Sequence, residues 1–404
     1  MTDLTKTIDM PDGWIENPKT KEVKPTTLPV GLWVKTLKTL GNKLRFNLIT
    51  LAPELNGVPF QPDDLDTLYC HLGEKGYSIS EKAAKDAVLY AAMKHSYNPV
   101  VEELEWIENN DDIKPVDIDK LATEYLATNS ELDDAKLAAC LIGGVSRAFD
   151  HGCKMDYVLC LKGKQGIKKS EFWRILAGDY FCETQQDNMK DLKMAVGSCW
   201  IYEYPEIEIL TTRKDVGTVK SFITARTDGF RPPYGGSFGY YPRKSILVGS
   251  LNEDEFLKDK TGHRRYWVIE LPHDAELGEF LDIDKLTRDR ERILKAAILA
   301  YRSGRKPMLT NIQQNLSNRQ NLSYENEHPF QSAIEQRVKV YGQEEFSIKN
   351  LLLEAKLRSD IDKITQKDMN DVSAILRGLG YITTKGQKMD KKIKSRARMW
   401  KLAQ

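Results

Sequence analysis

Lys169 and Ser170 follow the turn Gly163-Lys164-Gln165-Gly166-Ile167-Lys168, which itself follows an apolar run, Tyr157-Val158-Leu159-Cys160-Leu161. A strand, a turn whose glycines let backbone N–H groups converge, and a Lys-Ser pair opening a helix (Glu171 to Leu176) make a layout that cradles phosphate oxygens. In such a loop the lysine reaches the β- and γ-phosphates and the hydroxyl binds Mg2+. The helix N-terminus adds a partial positive charge. Gly163, Lys169 and Ser170 fit the pattern G-x-x-x-x-G-K-[ST], but Lys168 stands where the second glycine belongs. If that position requires positive φ, a lysine there is strained. An ordinary basic turn before a helix would carry the same letters, so the residues downstream must decide.

A nucleoside triphosphatase needs an acid at the end of a neighbouring strand to organise the metal, and a group that prepares water. Trp200-Ile201-Tyr202-Glu203 is an apolar strand ending in an acid, with Glu206 three residues later. Glu203 is read as the metal-side acid and Glu206 as the candidate base, with the exchange of these roles left open. The next apolar run, Ile246 to Leu251, ends in Asn252, an amide placed to touch a γ-phosphate or orient its attacking water. Arg264 and Arg265 then precede another strand, where a guanidinium can neutralise charge on a transferred phosphoryl group. Between the acidic strand and the Asn252 strand, Lys220, Arg226, Arg231 and Lys244 interleave with Pro232-Pro233-Tyr234-Gly235-Gly236-Ser237-Phe238-Gly239-Tyr240-Tyr241. Cations that track phosphates and rings that stack on bases suit single-stranded DNA. The alternative for Arg231 to Tyr234 is a buttress within the chain.

Strands predicted at 156–162, 198–204, 245–251 and 265–271, alternating with helices, imply a parallel-type sheet whose strand ends hold the nucleotide. Ahead of it, residues 1–30 read as a weakly ordered lead-in. A short strand at 44–50 and helices at 63–74, 80–95 and 133–149 make 31–149 mostly helical. Residues 102–134 carry 12 Asp/Glu against 2 Lys/Arg, the pattern of a solvated face and loop. Residues 331–404 carry 16 Lys/Arg and 9 Asp/Glu. Helices at 346–357 and 366–379 and a two-strand pattern from Tyr381 to Leu402 read there as a winged helix. Lys385, Lys388, Lys391, Lys392, Lys394, Arg396, Arg398 and Lys401 are candidates for phosphate contact. The 404-residue chain has a net charge of +1, which removes any argument from global charge. Its six scattered cysteines and six histidines show no metal-ligand spacing and fit reduced thiols in a cytosol. No run of apolar residues is long enough to span a membrane.

Together these segments resemble the virulence-associated protein E family, whose members look like superfamily 3 helicases and the primase-helicases of phages and mobile elements. The resemblance runs from Phe46 to Leu271 in pieces: Tyr97-Asn98-Pro99-Val100, Gly163 to Ser170, Trp200 to Glu206, Arg226 to Gly235, Pro242-Arg243 and Thr261 to Trp267. Lys168 is the departure from the family's glycine. The resemblance implies an α/β fold with an AAA+-like P-loop ATPase core at 150–310. A helical collar-like domain at 31–149 and a basic winged-helix domain within 311–404 would flank it. It implies a cytoplasmic, ATP- and Mg2+-dependent helicase that forms a ring, most simply a hexamer, on single-stranded DNA, with an inserted hairpin gripping the strand and Arg264 or Arg265 reaching a neighbouring subunit. The residues ahead of the core, about 145 of them, show no evident pair of metal-binding acids, so no primase activity is expected in this chain; a separate primase or polymerase, or a longer parent chain, is the open alternative for priming. A loader that binds ATP and scarcely hydrolyses it is the competing expectation, and Lys168 is what favours it.

Overall fold

The computed structural model describes every residue except 1–3, 9, 187, 208–215, 235–236, 253–262, 273–280, 325–329, 343, 391 and 404. Gly235 and Gly236 of the hairpin segment, Thr261 and Gly262 of the arginine motif, and Lys391 therefore lie outside the described residues. Two compact units divide the chain, Met1–Glu325 and Asn326–Gln404.

The first unit begins with an α+β layer rather than a loose lead-in and a helical collar. It holds strands β1 (Trp14–Glu16), β2 (Val23–Thr27), β3 (Leu44–Asn47), β4 (Ala52–Leu55), β5 (Val58–Pro59), β6 (Tyr77–Ser78) and β7 (Ser96–Tyr97). They form two small sheets, β1-β2-β6 and β5-β4-β3-β7. Helices α1 (Val30–Lys38) and α2 (Glu81–Met93) pack on them. Leu4, Ile8 and Leu28 are buried with Trp33, Leu37, Leu44 and Val88 in one core, so the lead-in is anchored. β1 and β2 escaped detection because they are exposed and lack apolar alternation.

Helices α3 (Pro99–Asn109) and α4 (Glu131–Phe149) follow. Asn98 caps α3 by accepting from the Val100 and Val101 N–H groups, with Pro99 in the first turn. Ser130 caps α4, and Glu131, Asp133 and Asp134 complement its dipole. Eight of the twelve acids of the stretch 102–134 are exposed, as a solvated face requires, whereas Asp133 and Asp134 are buried at the start of α4. From Asp133 to Ala148 nearly every α4 residue is buried, because the helix lies on the main sheet. A Cβ on Gly143 would come within 2.4 Å of the Met155 side chain. The boundary expected at 149 falls at the end of this helix, which shares the core of the sheet that follows.

That sheet contains β8 (Val158–Lys162), β9 (Phe181–Glu183), β10 (Ile201–Tyr204), β13 (Ile246–Leu251) and β14 (Tyr266–Glu270), in the order β14-β8-β13-β10-β9. All four pairings are parallel. The connecting helices are α5 (Lys169–Ala177), α6 (Met189–Gly197) and α7 (Val216–Thr224). Between α7 and β13 an antiparallel pair is inserted, β11 (Thr227–Phe230) with β12 (Gly239–Pro242). Side chains alternate across the sheet as strand geometry requires. Leu159, Leu161, Ile246, Val248, Trp267 and Ile269 face a core with α3, α4, α5 and α8 (Ile283–Arg302). Val158, Cys160, Tyr202, Leu247 and Val268 face a second core with α6 and α7. Helix α9 (Asn311–Asn321) closes the unit beside β14. From β8 the chain crosses to the far edge at β9, returns through β10 and β13, and ends beyond β8 at β14. The loop after β8 therefore sits where strand order reverses, the place where α/β sheets open a crevice.

The second unit contains α10 (Gln331–Tyr341), β15 (Phe346–Ser347), α11 (Ile348–Glu354), α12 (Gln366–Gly378), β16 (Tyr381–Asp390) and β17 (Ser395–Leu402). Its sheet is antiparallel, ordered β15-β17-β16. Ile334, Phe346, Leu351, Val372, Leu376 and Trp400 form its core. A Thr365–Asp368 capping box starts α12. Helix α10 is an addition to the two expected helices. Among the described residues no helix is long and apolar enough to cross a membrane.

Candidate active site

The segment Gly163 to Lys168 joins the carboxyl end of β8 to the first residue of α5. Gly163 N–H donates to the Leu251 carbonyl at 3.1 Å, which ties the loop to the end of β13. A Cβ on Gly163 would meet Ile167 Cδ1 at 2.5 Å. Gly166 has φ +89°. Lys168 lies in the left-handed region, at φ 63° and ψ 29°, the conformation that glycine takes without strain and other residues at a cost of about 1 kcal/mol.

Lys169 is buried, and its ammonium donates to the Gly163 carbonyl, to the Lys164 carbonyl at 3.1 Å and to Asn252 Oδ1 at 2.8 Å. Asn252 Nδ2 in turn donates to Glu206 Oε1 at 3.5 Å. Glu206 N–H donates to Ser250 Oγ at 3.4 Å, and its φ is also positive, at 50°. The Ser170 hydroxyl donates to Glu183 Oε1 at 3.2 Å, while the other Glu183 oxygen accepts from Arg174 at 3.1 Å.

Glu203, on β10, is paired in register with Glu183 on β9. It is fully buried, yet neither carboxylate oxygen reaches full hydrogen-bond geometry with a described residue, although the Ser170 and Ser250 hydroxyls lie near it. Burial pushes its pKa up to about 7. The Glu183 charge adds to the rise, while the Ser170 and Ser250 hydroxyls and the Lys169 ammonium oppose it. An orphaned buried carboxylate beside a second carboxylate and a serine hydroxyl is an all-oxygen donor set. It fits Mg2+, which takes one or two carboxylates and completes its shell with phosphate and water.

Glu183 was not among the expected residues. It ends a three-residue edge strand, too short to show a period, and its only sequence signal was the isolated Phe-Cys-Glu ahead of α6.

Arg264 and Arg265 are not part of this cluster. β14 runs parallel to β8, from Tyr266 opposite Val158 to Glu270 opposite Lys162. The arginines precede β14, whereas the loop follows β8, so they lie at the opposite end of the sheet. Five residues of strand separate the two ends, roughly 16 Å at about 3.3 Å per residue. Arg264 is exposed, and its carbonyl accepts from Gln314 of α9 at 3.4 Å. Arg265 Nε is buried without a hydrogen bond to a described residue.

The four candidate DNA-side cations divide. Arg231 is exposed between β11 and β12, and Lys220 is half-buried on α7. Arg226 is exposed, but its Nε donates to the Gly152 carbonyl at 2.7 Å. Lys244 is a correction. It is 6% exposed, and its ammonium donates to the Leu48 and Ile49 carbonyls. Burial lowers its pKa to about 8. It fastens the N-terminal layer to β13 and offers no charge to a ligand.

Next to it, Arg243 makes two bonds to Asp228, at 2.7 and 2.8 Å, and one to the Phe222 carbonyl at 2.8 Å. Phe230 enters the N-terminal core, and the Tyr234 hydroxyl donates to the Phe60 carbonyl. The Tyr234 part of the segment is thus a buttress. The rings left outside are Phe238 and Tyr240, 56% and 78% exposed, edge-to-face at 5.3 Å. In the second unit, Lys388 and Lys392 of the expected basic patch are paired with Glu345 and Glu354.

The chain matches the Virulence-associated protein E-like domain over residues 101–326, from within α3 to just past α9. No curated protein matches it. Among solved structures, it is similar to the apo structure of the NrS-1 C-terminal region at 13% identity and a TM-score of 0.45, covering 92% of this chain and 98% of that one. The A form apo structure of the same region gives 12% identity and a TM-score of 0.46, covering 92% and 99%. The domain match spans more than half of the 404 residues and takes in the whole parallel sheet with its phosphate-type loop and Glu203 strand: the chain belongs to the virulence-associated protein E-like family.

Proposed function

We propose that the chain is an ATP-dependent DNA helicase of phage or mobile-element replication, working as a ring on single-stranded DNA. The observation that carries this is Glu203, a fully buried carboxylate with no well-formed hydrogen bond among the described residues, placed beside Ser170 and Lys169 at the end of the phosphate-type loop. Mg2+ bound with the nucleotide would neutralise charge on its phosphate oxygens. Ser170, Glu203 and the unforeseen Glu183 would hold that ion. Lys169 would leave the carbonyls of its own loop for the β- and γ-phosphates. Asn252, released from Lys169, would then face the γ-phosphate, with its Glu206 contact aligning a water for deprotonation.

Arg264 and Arg265 lie too far from Lys169 to serve it in the same chain. This supports a ring in which they reach a neighbour's nucleotide. Helix α9, bonded to Arg264 through Gln314, exposes Ile312 and Leu316 one turn apart, an apolar strip suited to a subunit contact. Phe238, Tyr240 and Arg231 would meet the DNA strand, while Arg243 and Lys244 fix the base that carries them. In the second unit, two helices and a hairpin on a three-stranded sheet support the winged-helix reading. The N-terminal layer would act as the collar.

Steady-state ATP hydrolysis with and without single-stranded DNA, on wild type and Lys169→Ala, tests the motor. DNA-stimulated turnover that Lys169→Ala abolishes is expected. Nucleotide binding without turnover in wild type would sink the motor and favour a loader, the reading that Lys168 in the left-handed region supports. Mixing Lys169→Ala with Arg264→Ala/Arg265→Ala protein tests the ring. Each alone is expected to be inactive, and the mixture to recover part of the activity.

A further inference from the structure

The second unit carries a groove of about 590 Å³ between α12, the start of α11 and the β16–β17 hairpin. Lys349, Arg377, Arg396 and Arg398 line it, and among the described residues no carboxylate does. Outside the groove, four cations of the unit are in ion pairs: Arg337 and Lys392 with Glu354, Arg358 with Asp368, and Lys388 with Glu345. Arg396 and Arg398 are exposed and make no ion pair among the described residues. The groove thus gathers four cations with no described carboxylate among them.

Helix α12 supplies the floor. One side of it, with Val372, Ile375 and Leu376, is buried in the core. The other presents Gln366, Asn370, Ser373 and Arg377 to the groove, spaced four, three and four residues apart along one helical stripe. Gln366 Nε2 donates to Asn370 Oδ1 at 3.1 Å, which sets the two amides side by side. Amides and a guanidinium in such a row match the donor and acceptor patterns of adenine and guanine edges, and the major groove of B-DNA is wide enough for an α-helix. Arg396 and Met389 share one face of the hairpin, as do Arg398 and Gln387, so both arginines flank the helix where phosphate strands would rise. The groove offers no exposed ring for stacking a splayed base, since its one aromatic, Trp400, is buried.

We propose that the second unit is a sequence-reading duplex-DNA module: α12 enters the major groove with Gln366, Asn370 and Arg377 toward the bases, and Arg396 and Arg398 hold the backbone. This assignment does not rest on ATP turnover. It would give the chain a way to select a start site on double-stranded DNA.

The test uses the full chain without nucleotide, first in a selection from duplexes with a randomised centre, then by fluorescence anisotropy across a salt series. A recurring motif is expected. Arg396→Ala/Arg398→Ala should weaken binding to that duplex about tenfold at moderate salt and lower the log–log salt slope by about two. Arg396→Lys/Arg398→Lys should keep most of the affinity. Gln366→Ala/Asn370→Ala should retain binding to random duplex while losing about tenfold or more of the preference for the motif. Lys19→Ala/Lys82→Ala, which removes two exposed charges of the first unit, should bind as wild type. Absence of a motif, equal competition by the single strand of the same sequence, an unaltered salt slope in the double alanine variant, or protein capture at this face with no duplex binding would each overturn the proposal.

Discussion

Two of the places where the first unit buries charge treat it in opposite ways. At the base of the β11–β12 pair every buried charge is answered. Arg243 grips Asp228 with two bonds and the Phe222 carbonyl with a third, and Lys244 donates to two carbonyls. On β10, Glu203 is as deeply buried and has no well-formed hydrogen bond among the described residues. An unpaired buried carboxylate costs several kcal/mol, and the nearby Ser170 and Ser250 hydroxyls and Lys169 ammonium offset that cost only in part, since the pKa still stands at about 7. The comparison separates architecture from chemistry: charge satisfied within the chain builds the scaffold, and charge left unsatisfied belongs to a partner the chain is made to receive.

Glu203→Gln should break the comparison most visibly. Turnover is expected to fall by about a hundredfold to a thousandfold, the scale for loss of one charge-stabilising group at a reacting centre. Stability should move the other way. The folded-state pKa lies near 7, above the ordinary value of 4.5. Between those values the folded chain keeps a proton that the unfolded chain has lost, so this group's contribution to stability is greatest below about pH 4.5 and declines as pH rises to 7. The glutamine variant lacks that slope and should melt higher than wild type at pH 8 and nearly level with it at pH 5. Thermal melts at the two pH values, beside kcat, read both halves; a lower melting temperature at pH 8 would show that Glu203 is satisfied by its surroundings after all.

The paired site should answer in reverse. Asp228→Ala leaves Arg243 buried without its carboxylate, a change of about 3–5 kcal/mol in other buried pairs. Urea unfolding should show that loss with an unchanged m-value. Loss of DNA binding should accompany it, because Phe230 and Tyr234 anchor the same segment in the N-terminal layer. A stability change under 1 kcal/mol would mean that the ion pair is incidental to the fold.

The same contrast explains what the sequence could and could not reveal. The positions of Glu203 and Asn252 were legible because apolar runs of three and six residues precede them, and such runs mark strands buried on both faces. The left-handed Lys168 was legible from one departure in a known spacing. Lys244 was misread because composition shows a cation among aromatics and cannot show that Leu48 and Ile49 lie across from it. Glu183 was missed because its strand is three residues long and its meaning depends on register with Glu203. The position of the arginines was recoverable in principle: residues before a parallel strand and residues after its neighbour must lie at opposite ends of the sheet. The N-terminal layer was not, since its sheets are made of short strands, one of them only partly apolar and carrying Pro25.

Lys168 refines the comparison with the smallest effect, since its cost is conformational rather than electrostatic. With φ 63° and ψ 29° it pays about 1 kcal/mol that glycine would avoid. Lys168→Gly removes that strain but adds about 0.5–1 kcal/mol of unfolded-state entropy, so the melting temperature should hardly change. Turnover is the informative readout. If the strained lysine holds the loop away from its phosphate-binding shape, glycine should raise kcat severalfold and lower KM for ATP. Lys168→Ala, which keeps the Cβ and removes the charge, should then behave like wild type, assigning the effect to backbone and not to charge. If alanine and glycine raise turnover equally, the ammonium of Lys168 is what restrains the site, and the loop is limited by an unneeded positive charge beside Lys169 rather than by strain.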